Sequence, residues 1–298
     1  MRIDTIIELL DGELRNRGFI SEIIGFADKL KKVKREFLFI SNNENEIKEA
    51  IQNGAYAILS SENVEIIDNE IAWIRVENIE ESLLKLLKYK LLGKTLFVTD
   101  DITLSIIKSF NKDKKVVFLD EMKVKYLNGD YIYLTSNETI KKLSATKIEL
   151  ENRIKVELLD TTLLISKILF NNKYYSIHFP AVYKKELEKA LAFLEAQNLE
   201  YLIKDVELER FFVQFINSRF EKVKFGKTDK VVIFGLKTDN YLMRELNFIF
   251  EMGKYGKVRF FDKNNIENFY TEKYNFAVLI DTDVELKEKQ IIEKNLLN

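Results

Sequence analysis

A chain of 298 residues with 46% hydrophobic and 32% charged side chains can bury a sizeable core and still solvate its surface, and at roughly 150 residues per domain its length suggests about two domains. Its 47 Lys and Arg against 48 Asp and Glu leave no bulk positive charge for nucleic acid. There is no cysteine, and one each of histidine (His178), tryptophan (Trp73) and proline (Pro180); this excludes thiol nucleophiles, disulfide frameworks and zinc sites of Cys and several His, and leaves His178 as the sole candidate histidine base.

In chain order, the start carries Asp4, Glu8, Asp11 and Glu13 among its apolar residues, unlike a secretory signal with its uninterrupted apolar stretch. No later run approaches the roughly 18 uncharged apolar residues of a membrane span, so a cytoplasmic protein without a membrane span is expected. Ile3, Ile6, Ile7 and Leu10 recur at helical spacing, and Phe37-Leu38-Phe39-Ile40 reads as a buried strand. Residues 46–53 predict a helix stopped by Gly54, where positive φ is tolerated; strands follow at 55–59 and 72–76. Asn78, with Glu81 three residues on, predicts the cap of a helix burying Ile79, Leu83, Leu86 and Leu87.

A second unit opens at a strand over 95–99, followed by a helix from Asp100 or Asp101 with Ile102, Ile106 and Ile107 inward. A strand at 116–119 comes next, and Asn128-Gly129-Asp130 makes a turn before another at 131–134. Helix 136–143 leads into short strands, with Asn171-Asn172 turning a hairpin, and helices at about 183–197 and 205–217 follow. Within the latter, Phe211, Phe212, Phe215 and Ile216 match a core stripe. The last part predicts a strand at 231–234, a helix from about 239 stopped by Gly253, strands at 258–261 and 276–280, and a final amphipathic helix with Val284, Ile291, Ile292 and Leu296. The succession implies a parallel α/β chain with a local antiparallel insertion.

Three stretches carry a family resemblance. Residues 25–59 run from Lys29, Lys31, Lys32, Lys34 and Arg35 through Phe37-Leu38-Phe39-Ile40 to Ala50-Ile51-Gln52-Asn53-Gly54-Ala55. Phe179-Pro180-Ala181 leads into Ala190-Leu191-Ala192-Phe193, and Asn217-Ser218-Arg219 precedes Val231-Val232-Ile233-Phe234 and Met243-Arg244-Glu245-Leu246. In this order they resemble the Mur ligases, ATP-dependent enzymes that add amino acids or a dipeptide to UDP-N-acetylmuramoyl precursors of peptidoglycan. The first is similar to the family's uridine-nucleotide domain, the second to its Pro-Gly loop and Ala-rich helix, and the third to its Gly-Arg segment, strand and helix at the central-to-C-terminal junction. The resemblance implies an α/β, Mur-ligase-like fold: an N-terminal α/β uridine-nucleotide-type domain at 1–93, a reduced central α/β domain lacking a P-loop at 94–235, and a truncated Rossmann-like C-terminal unit at 236–298.

The family's phosphate chemistry is missing from the residues. Where a glycine-rich loop with Lys and Ser/Thr should cradle ATP, the strand-to-helix turn reads Val98-Thr99-Asp100-Asp101-Ile102-Thr103. Gly93-Lys94-Thr95 matches the end of a P-loop, but the position five before Gly93 is Lys88 and the triplet precedes a strand, which reads as a helix stop. The stretch between Phe110 and Tyr131 is too short for the family's magnesium-binding glutamate and modified lysine. Ala181 stands for the Pro-Gly glycine, and Asp239-Asn240 for the Asn-Pro of relatives.

As for site residues, Asp28, Lys29, Lys31 and Lys32 match the loop that meets the uridine nucleotide in the family, with Ala27-Asp28-Lys29 in place of Asp-Ser-Arg; a solvated charge run is the competing reading. Arg219 aligns with the domain-junction arginine and is expected as an ion-pair partner. His178 reads as structural, and Asp100-Asp101 as a helix start matched to the macrodipole. No catalytic residue, metal site or cofactor is expected. The expected function is that of a non-catalytic Mur-ligase-like protein binding a cell-wall biosynthesis protein or a UDP-muramoyl precursor, and not nucleic acid. Two alternatives stay open: an active ATP-dependent amide ligase with an unconventional nucleotide site, and a purely structural assembly protein marked by an exposed apolar patch.

Overall fold

The computed structural model describes residues 1–120, 123–224, 227–228 and 230–288. They pack as two compact units, one of Met1–Asp100 with Asp113–Leu150, the other of Asp101–Lys112 with the chain from Glu151 onward. The segments 1–93, 94–235 and 236–298 remain a proposal about domains, distinct from this division by packing.

In the first unit come α1 (Ile3–Leu10), β1 (Glu13–Asn16), β2 (Gly25–Ala27), β3 (Phe37–Ile40), α2 (Glu44–Gln52), β4 (Ala55–Ser60), β5 (Ala72–Arg75), α3 (Ile79–Lys90) and β6 (Leu96–Val98). After α4 (Asp101–Phe110), which belongs to the second unit, β7 (Val116–Phe118), β8 (Ile132–Thr135), α5 (Glu138–Lys141) and β9 (Lys147–Glu149) complete it. The expected helix 136–143 is thus a single turn.

Two sheets form, in the orders β1-β5-β4-β3-β2 and β7-β8-β6-β9, parallel throughout except for β1. The apolar strand runs alternate between two faces, as a sheet covered on both sides requires. Leu38, Ile40, Ala57, Leu59, Ala72 and Ile74 enter one core with α1 and α3, while Phe39, Ile58 and Trp73 enter another with Ile47 and Ala50 of α2. The first of these cores also takes in Leu96, Val98, Val117 and Tyr133 of the second sheet. Local chemistry sets the helix ends: Asn43 Oδ1 accepts from the N–H groups of Asn45 and Glu46, and Asn78 Oδ1 from that of Glu81. Gly54 follows α2 with φ of +93°, where a Cβ would lie 3.2 Å from Arg35 Cα.

The second unit holds β10 (Glu157–Thr161), β11 (Ile165–Phe170) and β12 (Lys173–His178) as an antiparallel sheet, then α6 after α5 in chain order (Lys184–Ala196), which packs on α4. The β11–β12 turn is Asn171-Asn172, both at positive φ (49° and 58°), as a two-residue hairpin needs. There follow β13 (Phe212–Ile216), β14 (Lys222–Val223), β15 (Lys230–Leu236), α7 (Leu242–Met252), β16 (Val258–Phe261) and β17 (Phe276–Ile280), in the sheet order β14-β13-β15-β17-β16. The strands β15, β17 and β16 are parallel, which is the expected Rossmann-like succession.

Two expectations fall differently. The helix over 205–217 is absent, because Phe212–Ile216 is strand β13 and pairs with β15. The i, i+1, i+4, i+5 spacing of its aromatics came from a strand entered through a left-handed residue: Phe211 has φ of 56° and is buried, while Phe212 stacks on Phe234 of the neighbouring strand at 5.3 Å. Of the final helix, Ile291, Ile292 and Leu296 lie outside the described residues; Val284 lies in irregular chain packed on the C-terminal core. No helix among the described residues is long and apolar enough to cross a membrane.

Candidate functional site

In open α/β sheets ligands bind outside the carboxyl ends of strands, where adjacent chains depart to opposite sides. The C-terminal sheet has such a point. From β15 the chain passes through α7 to β16, beyond β17, whereas after β17 it returns to the other edge, where Lys222 N–H donates to Lys287 C=O at 2.9 Å. At these strand ends lies a cleft of about 750 Å³, lined among others by Lys237, Thr238, Asp262, Lys263, Asn264, Asp281 and Asp283.

Its shape depends on a kink in β15. Gly235 has φ of +76°, and a Cβ there would lie 2.7 Å from the Phe212 ring. The pairing with β17 shifts register between Ile233 and Leu236. Asp281, itself at φ of 51°, donates from its N–H to Leu236 C=O at 3.0 Å. Its carboxylate accepts from Thr238 Oγ1 at 2.5 Å and from Thr238 N–H. Asp262 accepts from Asn264 N–H at 2.8 Å. These acids therefore shape loops, and among the described residues no group of acids forms a metal site. The cleft offers carboxylate acceptors and lysine donors without histidine or cysteine, which is a chemistry for binding a polar ligand.

The same β15–α7 connection holds a charged cluster. Arg210, just before β13, donates from Nε and Nη2 to the two oxygens of Glu245 at 2.7 and 2.8 Å, and from Nη1 to Asp239 at 2.7 Å. Glu245 is 0% exposed and also accepts from the Tyr183 hydroxyl. Beside it Arg244 donates to Glu186 Oε1 at 3.0 Å, while Glu186 Oε2 and Arg244 Nε are buried without a partner among the described residues. Both guanidinium groups lie over the Tyr241 ring, at 4.8 and 5.2 Å from its centre. Burial alone would lower the Arg210 pKa; its hydrogen bonds to Asp239 and Glu245 outweigh that and raise it. Burial would likewise raise the Asp239 carboxyl, but the Arg210 hydrogen bonds and the N–H of Tyr241 hold it below its ordinary value. Burial, then the Glu245 charge, pushes the Tyr183 hydroxyl up, so it stays a neutral donor. The arrangement is a clamp between the start of α6 and α7, and it presents no free nucleophile.

The residues singled out from the sequence are scattered. Asp28 and Lys29 follow β2, and Lys31 and Lys32 lie in the 3-10 turn Leu30–Lys32; all four are exposed, with one 3.7 Å ion pair between Asp28 and Lys32. They stand at the carboxyl end of an edge strand, on the same side of the sheet as Ser41, Asn42 and Ser61, where Asn42 and Ser61 bond each other at 2.9 Å. Arg219 is exposed, and the expected ion pair is not found for it among the described residues. His178 ends β12; its backbone N–H donates to Asp205 at 2.7 Å, and its ring has no partner among the described residues. Gly93, at φ of +71°, lies between α3 and β6, and Lys94 pairs with Asp130, as a helix stop would. Asp101 opens α4.

Sequence reasoning missed Arg210, Tyr183, Glu186 and Glu245. One signal was present: Glu245 stands three residues after Leu242 and four before Ile249, inside the apolar stripe of α7, where a carboxylate requires a buried cation. Which arginine answers it depends on a contact 35 residues away.

No family model matches the chain, and no curated protein sequence matches it. Several solved structures are similar to it. MurF from Acinetobacter baumannii has 10% identity and a TM-score of 0.42, over 88% of this chain and 78% of that one. The MurF ligase from Thermotoga maritima in complex with ADP has 12% identity and a TM-score of 0.39, over 86% and 93%. A UDP-N-acetylmuramoyl-L-alanyl-D-glutamate–2,6-diaminopimelate ligase has 10% identity and a TM-score of 0.36, over 94% and 93%. The fold itself is α/β, as its parallel and mixed sheets and their covering helices show.

Proposed function

We propose that the chain is a non-catalytic Mur-ligase-like protein that serves peptidoglycan synthesis by binding, its target being a UDP-muramoyl precursor or a protein of that pathway. The peptidoglycan link rests on the three sequence stretches that resemble the family. One observation carries the non-catalytic reading: the connection from β6 to α4 is Thr99-Asp100 alone. A phosphate cradle needs several free backbone N–H groups, close approach through glycine, and a lysine. Here the Thr99 N–H is already given to Thr135 C=O at 3.0 Å, and the first turn of the helix carries the acidic Asp101, whose charge opposes an anion at the positive helix end. The C-terminal cleft, with carboxylate acceptors and ammonium donors, supports the binding part of the reading.

The experiment is incubation with ATP, magnesium, UDP-muramoyl peptides and amino acids, followed by phosphate assay. No release above a protein-free control is expected, and precursor-dependent release would overturn the proposal. Calorimetric titration then separates the targets: binding of UDP-muramoyl peptide without ATP selects the precursor, and binding of neither selects a protein partner.

A further inference from the structure

The first unit contains a separate cavity of about 330 Å³, at the end of its sheet opposite to the strand carboxyl ends. Ile23, Phe26, Leu86 and Leu127 form buried walls that belong to the main core. The wall is braced, because the Asn128 side chain accepts from Phe26 N–H at 2.8 Å and donates to Phe26 C=O at 2.6 Å. At the rim Ile24 is 70% exposed and Tyr89 43% exposed, so the apolar lining continues to the surface.

Lys90, the last residue of α3, is among the described residues the only charged side chain lining this cavity. Among the described residues its ammonium makes neither hydrogen bond nor ion pair; Asp130, the acid that acts on it, is bonded to Lys94. Burial, and then the charge of Lys94, push the Lys90 pKa below its ordinary value, which is the mark of a cation lacking a counter-ion. The end of α3 carries partial negative charge, so an anion here must meet the ammonium itself.

We propose that this cavity binds a medium-chain monocarboxylate, with its alkyl tail among Ile23, Phe26, Leu86 and Leu127 and its carboxylate on Lys90. The size selects the chain length: at roughly 30 Å³ per water-sized group, the volume takes about ten such groups, a carboxylate of about eight to ten carbons. The apolar walls disfavour a polar ligand of that size, and the Lys90 ammonium, with the Met1 ammonium already given to Ile23 C=O at 2.6 Å, selects an acid over an amine or alcohol.

The test titrates the full chain with octanoate and decanoate by calorimetry, and follows the methionine methyl resonances by NMR. Expected are one-to-one binding, a shift at Met1, which lines the cavity, and none at Met243, which lies in the other unit. Lys90→Gln weakens decanoate by about tenfold or more, the worth of one charge-assisted hydrogen bond, Lys90→Arg retains binding, and decylamine does not compete. Absence of saturable decanoate binding, equal affinity in Lys90→Gln, or shifts at Met243 without Met1 would overturn the proposal.

Discussion

Arg210 and Glu245 show how much a single buried carboxylate can demand of its surroundings. Glu245 accepts from Arg210 and Tyr183 with no exposure to water, and breaking such a pair leaves an uncompensated charge. Glu245→Gln should therefore lower stability by about 3 kcal/mol, measured as a reduced midpoint in urea unfolding. Replacing both residues by apolar ones, Glu245→Leu with Arg210→Met, should recover most of that loss. Asp239 adds a dependence on pH: its carboxyl lies below the ordinary 3.8 in the folded state, so the folded chain binds fewer protons. Its contribution is present above that ordinary value and is lost as pH falls through the depressed folded one. Between pH 7 and pH 3, Asp239→Asn should lose less stability than the unsubstituted protein. At this scale the sequence was legible where chemistry is local, as with the caps Asn43 and Asn78. It was silent where partners are distant, as between Arg210 and Glu245, which lie 35 residues apart.

Among the elements, β2 is short and lies at a sheet edge, paired with β3 on one side and held on the other by one side chain. Asn128 satisfies both backbone groups of Phe26, in the way a further strand would. Asn128→Ala should cost about 2 kcal/mol, since a nearly buried N–H and C=O lose their partners together; Asn128→Asp, which sets a carboxylate oxygen against the Phe26 C=O, should cost at least as much at pH 7. Both are read by thermal or urea unfolding. Apolar periodicity located most helices and strands because both faces of the N-terminal sheet are covered, so each strand reads as a continuous apolar run. It failed at 205–217, where the aromatics of an irregular approach and a strand fell by chance on a helical period. Pairing with β15 settles that segment, and pairing is invisible to any local window.

For the whole molecule, the unequal burial of the sheets predicts unequal protection. Amides of β3 and β4, whose residues are almost all buried, should exchange with solvent far more slowly than those of β10, whose side chains are mostly exposed; hydrogen exchange read by mass spectrometry would measure it, and equal rates would count against the described packing. The α/β class and the parallel C-terminal succession could be read from the sequence, since the order of strand and helix is written linearly. Strand order could not, and the cleft at β15 and β17 exists only because β17 inserts between β15 and β16. The β6–α4 connection limits what substitution can make of this chain. A P-loop places about five residues between its strand and the Gly-Lys-Ser/Thr that opens the helix, and this chain has two. Substitutions can supply a lysine or a glycine, but they cannot lengthen a connection. A phosphate cradle there would take an insertion, at a point where the Thr99 N–H already bonds Thr135 C=O, so no set of point substitutions alone should confer nucleotide binding on this turn.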